Sequence, residues 1–583
     1  MKDACDKLQA YILRQQLHKQ DNIKFQIVVD SDLDGITSAA ILYKFLQKFY
    51  PEIECAYSLH TGKQHGLSPD IKIEDNVILV IIPDAGSNET KRCEELHNQG
   101  IDVICLDHHI IEQPNSYASI VSCMDGKYPN QHLCGAAVTW LFLYGFCQNC
   151  IPFPDEHQSY LFSILDLVAI ATISDIMEVT NEDNMYFIQN GLSNIQSKAL
   201  RAFLTSAEVS LNDVTVEDIK FKVSPLISAM IRMGNMPDKT LLFRAFIDDY
   251  EEFDYEKRGS LSVETENIYD RVVRLCKNAK SRQDRAKQKL LDECQVYEYP
   301  HILLVEYQSD KSSTLTGLVA NELANQYCKP CIVYRQSSES NQENNGTTEC
   351  FGSIRNYDGS PITSFKNILE FAFENCNVQG HDNAAGITFD NISPEEFSNQ
   401  FTYALFSSYW DTVEDVSPVA IGDKEFQVDF SIPAEEVDAG LIQKLHWFER
   451  YSGYGFAPVT ALVTGIKVSP DNFKTMGKNS FNWKISDEDT NVSYVKFKID
   501  RQSDELVQKF DDLDWDSESD YGKLYDSFDK GYTIDAICTF GLNVYKGEIH
   551  PQAIVKDYML TGVYSKDSFE SFDDDDLDLD LDF

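Results

Sequence analysis

The chain has 583 residues, and its 43% hydrophobic and 12% aromatic content is enough to bury real cores, which excludes global disorder. Its 50 Lys and Arg stand against 94 Asp and Glu, a net charge of −44. Such a chain repels polyanions at long range, so a nucleic acid is excluded as a partner except at a locally basic, metallated or aromatic surface.

At about 150 residues per domain the length predicts three or four domains. No apolar stretch approaches the ~18 residues that a membrane helix needs, so no membrane association is expected. Met1-Lys2-Asp3-Ala4-Cys5 lacks an apolar signal core, and an intracellular protein is expected. The 15 cysteines lie in apolar runs such as Val103-Ile104-Cys105-Leu106 and read as reduced, buried thiols. Two CxxC pairs, Cys147/Cys150 and Cys328/Cys331, are too far apart in sequence to favour a shared zinc site.

In chain order, an apolar strand is predicted from Ile23 to Val29, then a helix from Ile36 to Tyr50. A second strand, Asn76 to Pro83, leads past Asp84 and Gly86 into a helix from Ser87 to Gln99. A third, Val103 to Leu106, closes on Asp107-His108-His109. Strands apolar on both faces imply a covered parallel sheet, whose ligands gather at the carboxyl ends of its strands. Ser159 to about Tyr250 reads as mainly helical. A long charged helix follows from about Ser260 to Glu293, with a basic stretch that is either solvated or turned to a polyanion. A second α/β unit runs from His301 to about Phe389, with a polar, mobile insert at Gln336 to Thr348. From Val416 to Asp557 the pattern is β-rich and suits a small antiparallel barrel. Ser571 to Phe583, with seven Asp, is too polar to pack.

The chemistry sits at the strand ends. Asp30, Asp32 and Asp34 alternate just past a strand, which would send three carboxylates to one side, and Gly35 permits a tight turn. Close anions repel unless a cation neutralises them, so a divalent metal is the natural occupant; a calcium-type loop or a solvated acidic turn is the bland alternative. Asp84 adds a carboxylate, and Asp107, His108 and His109 add mixed oxygen and nitrogen donors, which suit Mn²⁺ or Mg²⁺ better than a thiolate-bound zinc. Asp175 ends an apolar run and reads as a further ligand or as a helix cap.

Asp30-Ser31-Asp32-Leu33-Asp34-Gly35, Pro83-Asp84-Ala85-Gly86, Leu106-Asp107-His108-His109 and Ala171-Thr172-Ile173-Ser174-Asp175 resemble, in order, the four motifs of the DHH phosphoesterase superfamily. Val378-Gln379-Gly380-His381-Asp382-Asn383-Ala384-Ala385-Gly386 resembles the GGHxxAAG signature of its associated second domain, and Gly352-Ser353-Ile354-Arg355-Asn356 the GSxRS segment. Ser224 to Gly234 resembles the PxxNAxGRxG segment of the RecJ-type branch, the single-strand-specific 5′→3′ DNA exonucleases. Gln379, Ile231 and Asn356 depart from these patterns without removing a metal ligand.

The resemblance implies an α/β fold: a parallel-sheet DHH domain (1–255), a connecting helix (256–298), a smaller α/β DHH-associated domain (299–415), an OB-like barrel (416–565) and a disordered acidic tail (566–583). It also implies two divalent cations, Mn²⁺ preferred and Mg²⁺ the alternative, on Asp32, Asp34, Asp84, His108, His109 and Asp175. Asp30 is a further or supporting carboxylate, and Asp107 orients a histidine. Catalysis is assigned to Asp84, His108, His109 and His381, and phosphate binding to Arg232, Ser353, Arg355, Gly380 and His381. Trp447, Phe448, Tyr451, Tyr454 and Phe456 are candidates for base stacking, with core packing the plainer reading. The expected partner is single-stranded DNA, bound by a monomer in a bacterial or phage-infected cytoplasm. The tail resembles the tips of single-strand-binding proteins and is either a docking segment for a single-strand-binding or replication protein, a competitor for DNA, or a solubiliser. The competing readings are a DHH enzyme for short oligonucleotides or cyclic dinucleotides, and a non-catalytic replication-fork scaffold.

Overall fold

The computed structural model describes the chain apart from residues 19–21, 63, 257–262, 309–313, 338–348, 358–359, 410–425, 478–480, 500–502, 512–529, 546–547 and 566–583. The chain forms two units, Met1–Glu425 and Phe426–Phe583.

The first unit opens with helix α1 (Lys2–Leu17), which the pattern of the sequence does not announce. Strand β1 (Lys24–Val29) lies between β2 (Glu54–Leu59) and β3 (Val77–Pro83), and β4 (Asp102–Asp107) and β5 (Ser119–Ser122) extend the sheet in the order β2-β1-β3-β4-β5, every pair parallel. The apolar runs of β1, β3 and β4 bury almost completely, as covered parallel strands should. The one fully buried polar side chain of β1, Gln26, is satisfied by donating to Ser58 Oγ (2.7 Å) and Lys72 O (2.8 Å). Helix α2 (Leu33–Phe49) starts three residues before its predicted start, because the Asp32 side chain caps it by accepting from Gly35 N. A Cβ at Gly35 would lie 2.8 Å from the Asp30 Cα, so only glycine lets the helix fold back on the strand end. Helix α3 (Thr90–Asn98) follows β3; α4 (Gly135–Cys150), α5 (Asp155–Ser163) and α6 (Leu165–Ser174) follow β5.

Further helices fill the predicted helical stretch, including Ser224–Met233 and Met236–Phe246. The long helix spans Ile268–Glu293, shorter than expected, because Val263–Asn267 pairs with Glu252–Glu256 as a hairpin. Its basic stretch is largely engaged: Lys277 reaches Ser206, Lys280 pairs with Asp284 and Lys287 with Glu322. A six-stranded mixed sheet follows, in the order Asn377–His381, Ala384–Asp390, Glu349–Arg355, Cys331–Gln336, Leu303–Glu306, Gln295–Glu298. Most of the expected mobile insert lies outside the described residues.

The second unit is a seven-stranded sheet with Phe430–Pro433 and Phe473–Met476 at its edges. An antiparallel barrel was expected, but two pairs run parallel: Phe430–Pro433 with Ala461–Val468, and Val492–Ile499 with Glu548–Ser565. Its core centres on fully buried Trp483 and Tyr494. The acidic tail lies outside the described residues. Among the described residues no helix is long and apolar enough to cross a membrane, and all 15 cysteines are free thiols.

Candidate metal centre

The carboxyl ends of β1, β3 and β4 and the end of α6 bring the acidic motifs together. Asp84, His108 and His109 offer ligand atoms all within 4.8 Å of one another; so do Asp34, His108 and Asp175, and also Asp30, Asp32 and Asp84. Among the described residues no cysteine enters such a group, which agrees with the oxygen and nitrogen donors read from the sequence. His108 is the hub: its Nε2 lies 3.2 Å from Asp84 Oδ1, 3.5 Å from Asp175 Oδ2 and 3.9 Å from Asp34 Oδ2.

Strand alternation, the expected reason for the Asp30–Asp34 convergence, is not the cause. Helix α2 has begun by Asp34, so the three carboxylates are gathered by a strand-to-helix turn rather than by an extended strand. Asp32 caps α2; Asp34 takes the amides of Gly135 (2.6 Å) and Ala136 (2.7 Å) at the N-terminus of α4, plus Ser38 Oγ at 3.2 Å. Asp30 accepts from Gly66 N (2.9 Å) and touches His65 Nδ1 (2.5 Å). Asp107 joins none of the three groups. It holds His109 by Nδ1 (2.8 Å) and backbone N (3.0 Å) and takes Ser87 N at 3.0 Å, an orienting part. Asp175 caps the C-terminus of α6, and the next residue, Ile176, turns the chain away at φ 56°.

The electrostatics are those of a site built around missing positive charge. Burial, then the charges of Asp34, Asp32 and Asp30, push the Asp84 carboxyl well above the usual range. Burial, then Asp34 and Asp32, lift Asp175 to about 8, and burial with Asp30 and Asp34 lifts Asp32 to about 6. Burial lowers His108, keeping a neutral imidazole as a metal ligand requires. Asp107 raises His109 to about 9 and, despite its own burial, is itself held down to about 2 by that partner. Asp84 Oδ1 and Asp175 Oδ2 are buried with no hydrogen-bond partner, and a Cβ at Gly135 would collide with the Asp84 carboxylate. Orphaned oxygens facing mutually repelling acids fit a bound divalent cation.

The loop after β2 adds residues that the motifs of the sequence do not mark. His60 is buried, takes Ser68 Oγ (3.0 Å) and Asp70 (3.2 Å) on Nδ1, and points an unpartnered Nε2 toward Asp30 at 3.8 Å. Lys239, itself buried, donates to Thr61 O at 3.0 Å and anchors the same loop. The only signal was the pair of histidines in a polar loop.

Of the expected phosphate-binding residues, Arg232 and Arg355 are placed close together. Burial lowers both guanidinium pKa values; the charge of Arg232 lowers Arg355 further, while Asp32 works against the shift at Arg232. Neither makes an ion pair among the described residues. Ser353 Oγ is 2.8 Å from Thr316 Oγ1, and Arg355 donates to Ile354 O at 2.6 Å. Gly380, at φ 133°, and His381 end a hairpin strand, with Gly380 paired to Ala385 and His381 to Ala384. The His381 side chain lies outside the described residues, so its expected roles rest on the sequence alone.

A parallel sheet whose carboxyl edge gathers carboxylates and imidazoles that could hold divalent cations defines an α/β protein with a candidate metal centre. The DHH family model, N-terminal domain, matches residues 24–172. YorK of Bacillus subtilis (strain 168), named as a prophage SPbeta single-strand DNA-specific exonuclease, is 31% identical over 506 residues, 83% of this chain and 81% of YorK. The single-stranded-DNA-specific exonuclease RecJ of Haemophilus influenzae is 25% identical over 407 residues, 66% of this chain and 67% of that protein. The crystal structure of RecJ in complex with Mn²⁺ from Thermus thermophilus superposes with a TM-score of 0.60 at 16% identity, covering 95% of this chain and 72% of that one. The chain belongs to the DHH family, with the RecJ and YorK proteins.

Proposed function

We propose that the chain is a metal-dependent exonuclease that hydrolyses phosphodiester bonds of single-stranded DNA, working 5′→3′ and releasing 5′-mononucleotides in repair, recombination or replication. The observation that carries this reading is the three overlapping groups, two of carboxylates with imidazoles and one of carboxylates alone, with orphaned Asp84 and Asp175 oxygens, in a chain 31% identical to YorK. Two divalent cations, Mn²⁺ preferred and Mg²⁺ the alternative, would be held by Asp32, Asp34, Asp84, His108, His109 and Asp175, with Asp30 supporting. When bound they would supply an activated water and offset charge on the leaving 3′-oxygen.

The chain's own residues do the rest. Asp107 fixes the His109 ring, and the amides of Gly135 and Ala136 fix Asp34. Arg232 and Arg355, near enough to repel and without an ion pair among the described residues, suit a terminal or scissile phosphate together with Ser353, since a guanidinium donates in a bidentate fork. Gly380 and His381 complete that contact by resemblance. We assign residues 1–255 to the DHH domain, 256–298 to the connector, 299–415 to the associated domain, 416–565 to an OB-like strand-binding domain and 566–583 to an acidic tail that docks a single-strand-binding or replication partner. The protein acts as a monomer in the cytoplasm of a bacterial or phage-infected cell, as the bacterial and prophage relatives suggest. Digestion of end-labelled single strands with Mn²⁺ tests this: wild type shortens them, and unaltered shortening by Asp84→Ala and His108→Ala refutes the centre.

A further inference from the structure

The second unit carries a surface that its own packing does not use. In helix Ala439–Glu449, Ile442 is fully buried and Leu445 packs on the core, so the helix is seated by its aliphatic residues. Trp447, Phe448 and Tyr454 do the opposite: they are 71%, 54% and 64% exposed, three large aromatics within eight positions. Single exposed apolar residues need no explanation, whereas a cluster of this kind marks a contact surface.

Part of this surface is held in place. Phe448 meets Phe456 edge to face, ring centroids 5.5 Å apart at 83°. Reciprocal bonds between Gly453 and Phe456 (2.8 and 3.1 Å) pin the turn, and Gly455 sits at φ 86°, where glycine is favoured. The Arg450 guanidinium lies over the Tyr451 ring at 5.1 Å. A braced ring such as Phe448 loses little conformational entropy when a ligand stacks on it.

The charge points to the occupant. Between Ala439 and Val459 the only acid is Glu449, against Lys444 and Arg450. Glu449 is 9% exposed and its Oε1 accepts from Val459 N at 2.5 Å, so it is turned inward. With Glu449 turned inward and Asp438 at the opposite, N-terminal end of the helix, this is an aromatic segment of slight positive charge in a chain of net charge −44. Its exposed members are rings and a lysine rather than the aliphatic side chains of an apolar protein interface. Such a surface suits unstacked bases with phosphates between them, because every base has a face to stack and every linkage a charge to meet.

We propose that Trp447, Phe448 and Tyr454 form a base-stacking platform for single-stranded DNA, with Lys444 and Arg450 meeting its phosphates. It rests on the exonuclease reading but places a grip on the helix and turn before Ala461–Val468, not on the strands of the sheet, and it needs no cation.

The test uses the full chain in EDTA with fluorescein-labelled dT12, read by anisotropy, while digestion of the same strand with Mn²⁺ is followed separately. Wild type binds dT12 and its tryptophan fluorescence is quenched; a 12-base-pair duplex gives weaker binding and no quenching. Trp447→Ala and Phe448→Ala each weaken binding roughly 5- to 150-fold, the range for one stacked base. Trp447→Phe restores most of the affinity without the quenching, and Phe153→Ala, at an 88% exposed ring of the first unit, changes nothing. Unchanged affinity in both alanine variants, or no wild-type binding in EDTA, overturns the platform and leaves the surface to a protein partner. Absence of any wild-type digestion with Mn²⁺ instead sinks the exonuclease reading.

Discussion

Two buried aspartates, one in each unit, show what separates a structural acid from a working one. Asp504 is 8% exposed and fully served: Trp483 Nε1 (3.3 Å), Tyr558 OH (2.9 Å) and Val507 N (3.2 Å) all donate to it, and Lys496 Nζ stands at 3.6 Å. Asp84 is 1% exposed and has an orphaned oxygen among four other carboxylates. Both cost free energy to bury, but only the first is repaid within the fold. An unrepaid buried charge at a strand end is the mark of a ligand site. Backbone geometry agrees: Asp84 sits at φ 70°, a strained position for a residue other than glycine.

The contrast can be broken most sharply at Asp84 and His108. Replacing either with alanine should lower Mn²⁺-dependent digestion of single strands by roughly 100-fold or more, the scale of losing a charge-stabilising group; an effect below tenfold would make Asp84 no different in kind from Asp504. Next in size, Gly135→Ala drives a methyl group into the Asp84 carboxylate and should weaken Mn²⁺ binding about 10- to 100-fold by calorimetry. Asp504→Ala should leave Mn²⁺ binding intact and destabilise the second unit by about 1–3 kcal/mol, seen as a lower denaturant midpoint.

Smaller effects sharpen the comparison through sign. The folded-state pKa values of Asp32 and Asp175, about 6 and about 8, lie above the ordinary 3.8, so the folded protein binds more protons than the unfolded chain across that interval. Metal-free stability should therefore fall as pH rises from about 4 to about 8, and saturating Mn²⁺ should flatten the slope; urea midpoints at pH 5 and pH 8 with EDTA decide it. Smallest of all, Asp84→Asn should stabilise the metal-free protein by about 1 kcal/mol while removing activity. A stability loss there, as expected for an amide at Asp504, would mean that the Asp84 charge is compensated after all.

Much of the centre was legible because each contributing residue stands at the end of an apolar run: Asp30 after β1, Asp84 after β3, Asp107 to His109 after β4, Asp175 after α6. The sheet places strand ends side by side, so local patterns sufficed. Lys239 was not legible because it reaches the loop from a distant helix, and His60 and His65 were not, because β2 is only half-buried and carries no clear period. The closeness of the two histidines to Asp30 comes from β2 pairing beside β1. The amide donors of Gly135 and Ala136 leave no trace in side-chain chemistry. In the second unit the parallel pairing of Ser493 to Val495 with Gln552 to Ile554 joins distant segments, which no local pattern records. The hairpin before the long helix escaped because Val263–Asn267 is polar on most positions and reads as an extension of the charged helix.

Because Asp34 both faces His108 and ties down the first two amides of α4, whatever draws that carboxylate must tug on the helix as well. Deuterium uptake at Gly135 and Ala136 is thus a gauge of occupancy that works without substrate or turnover.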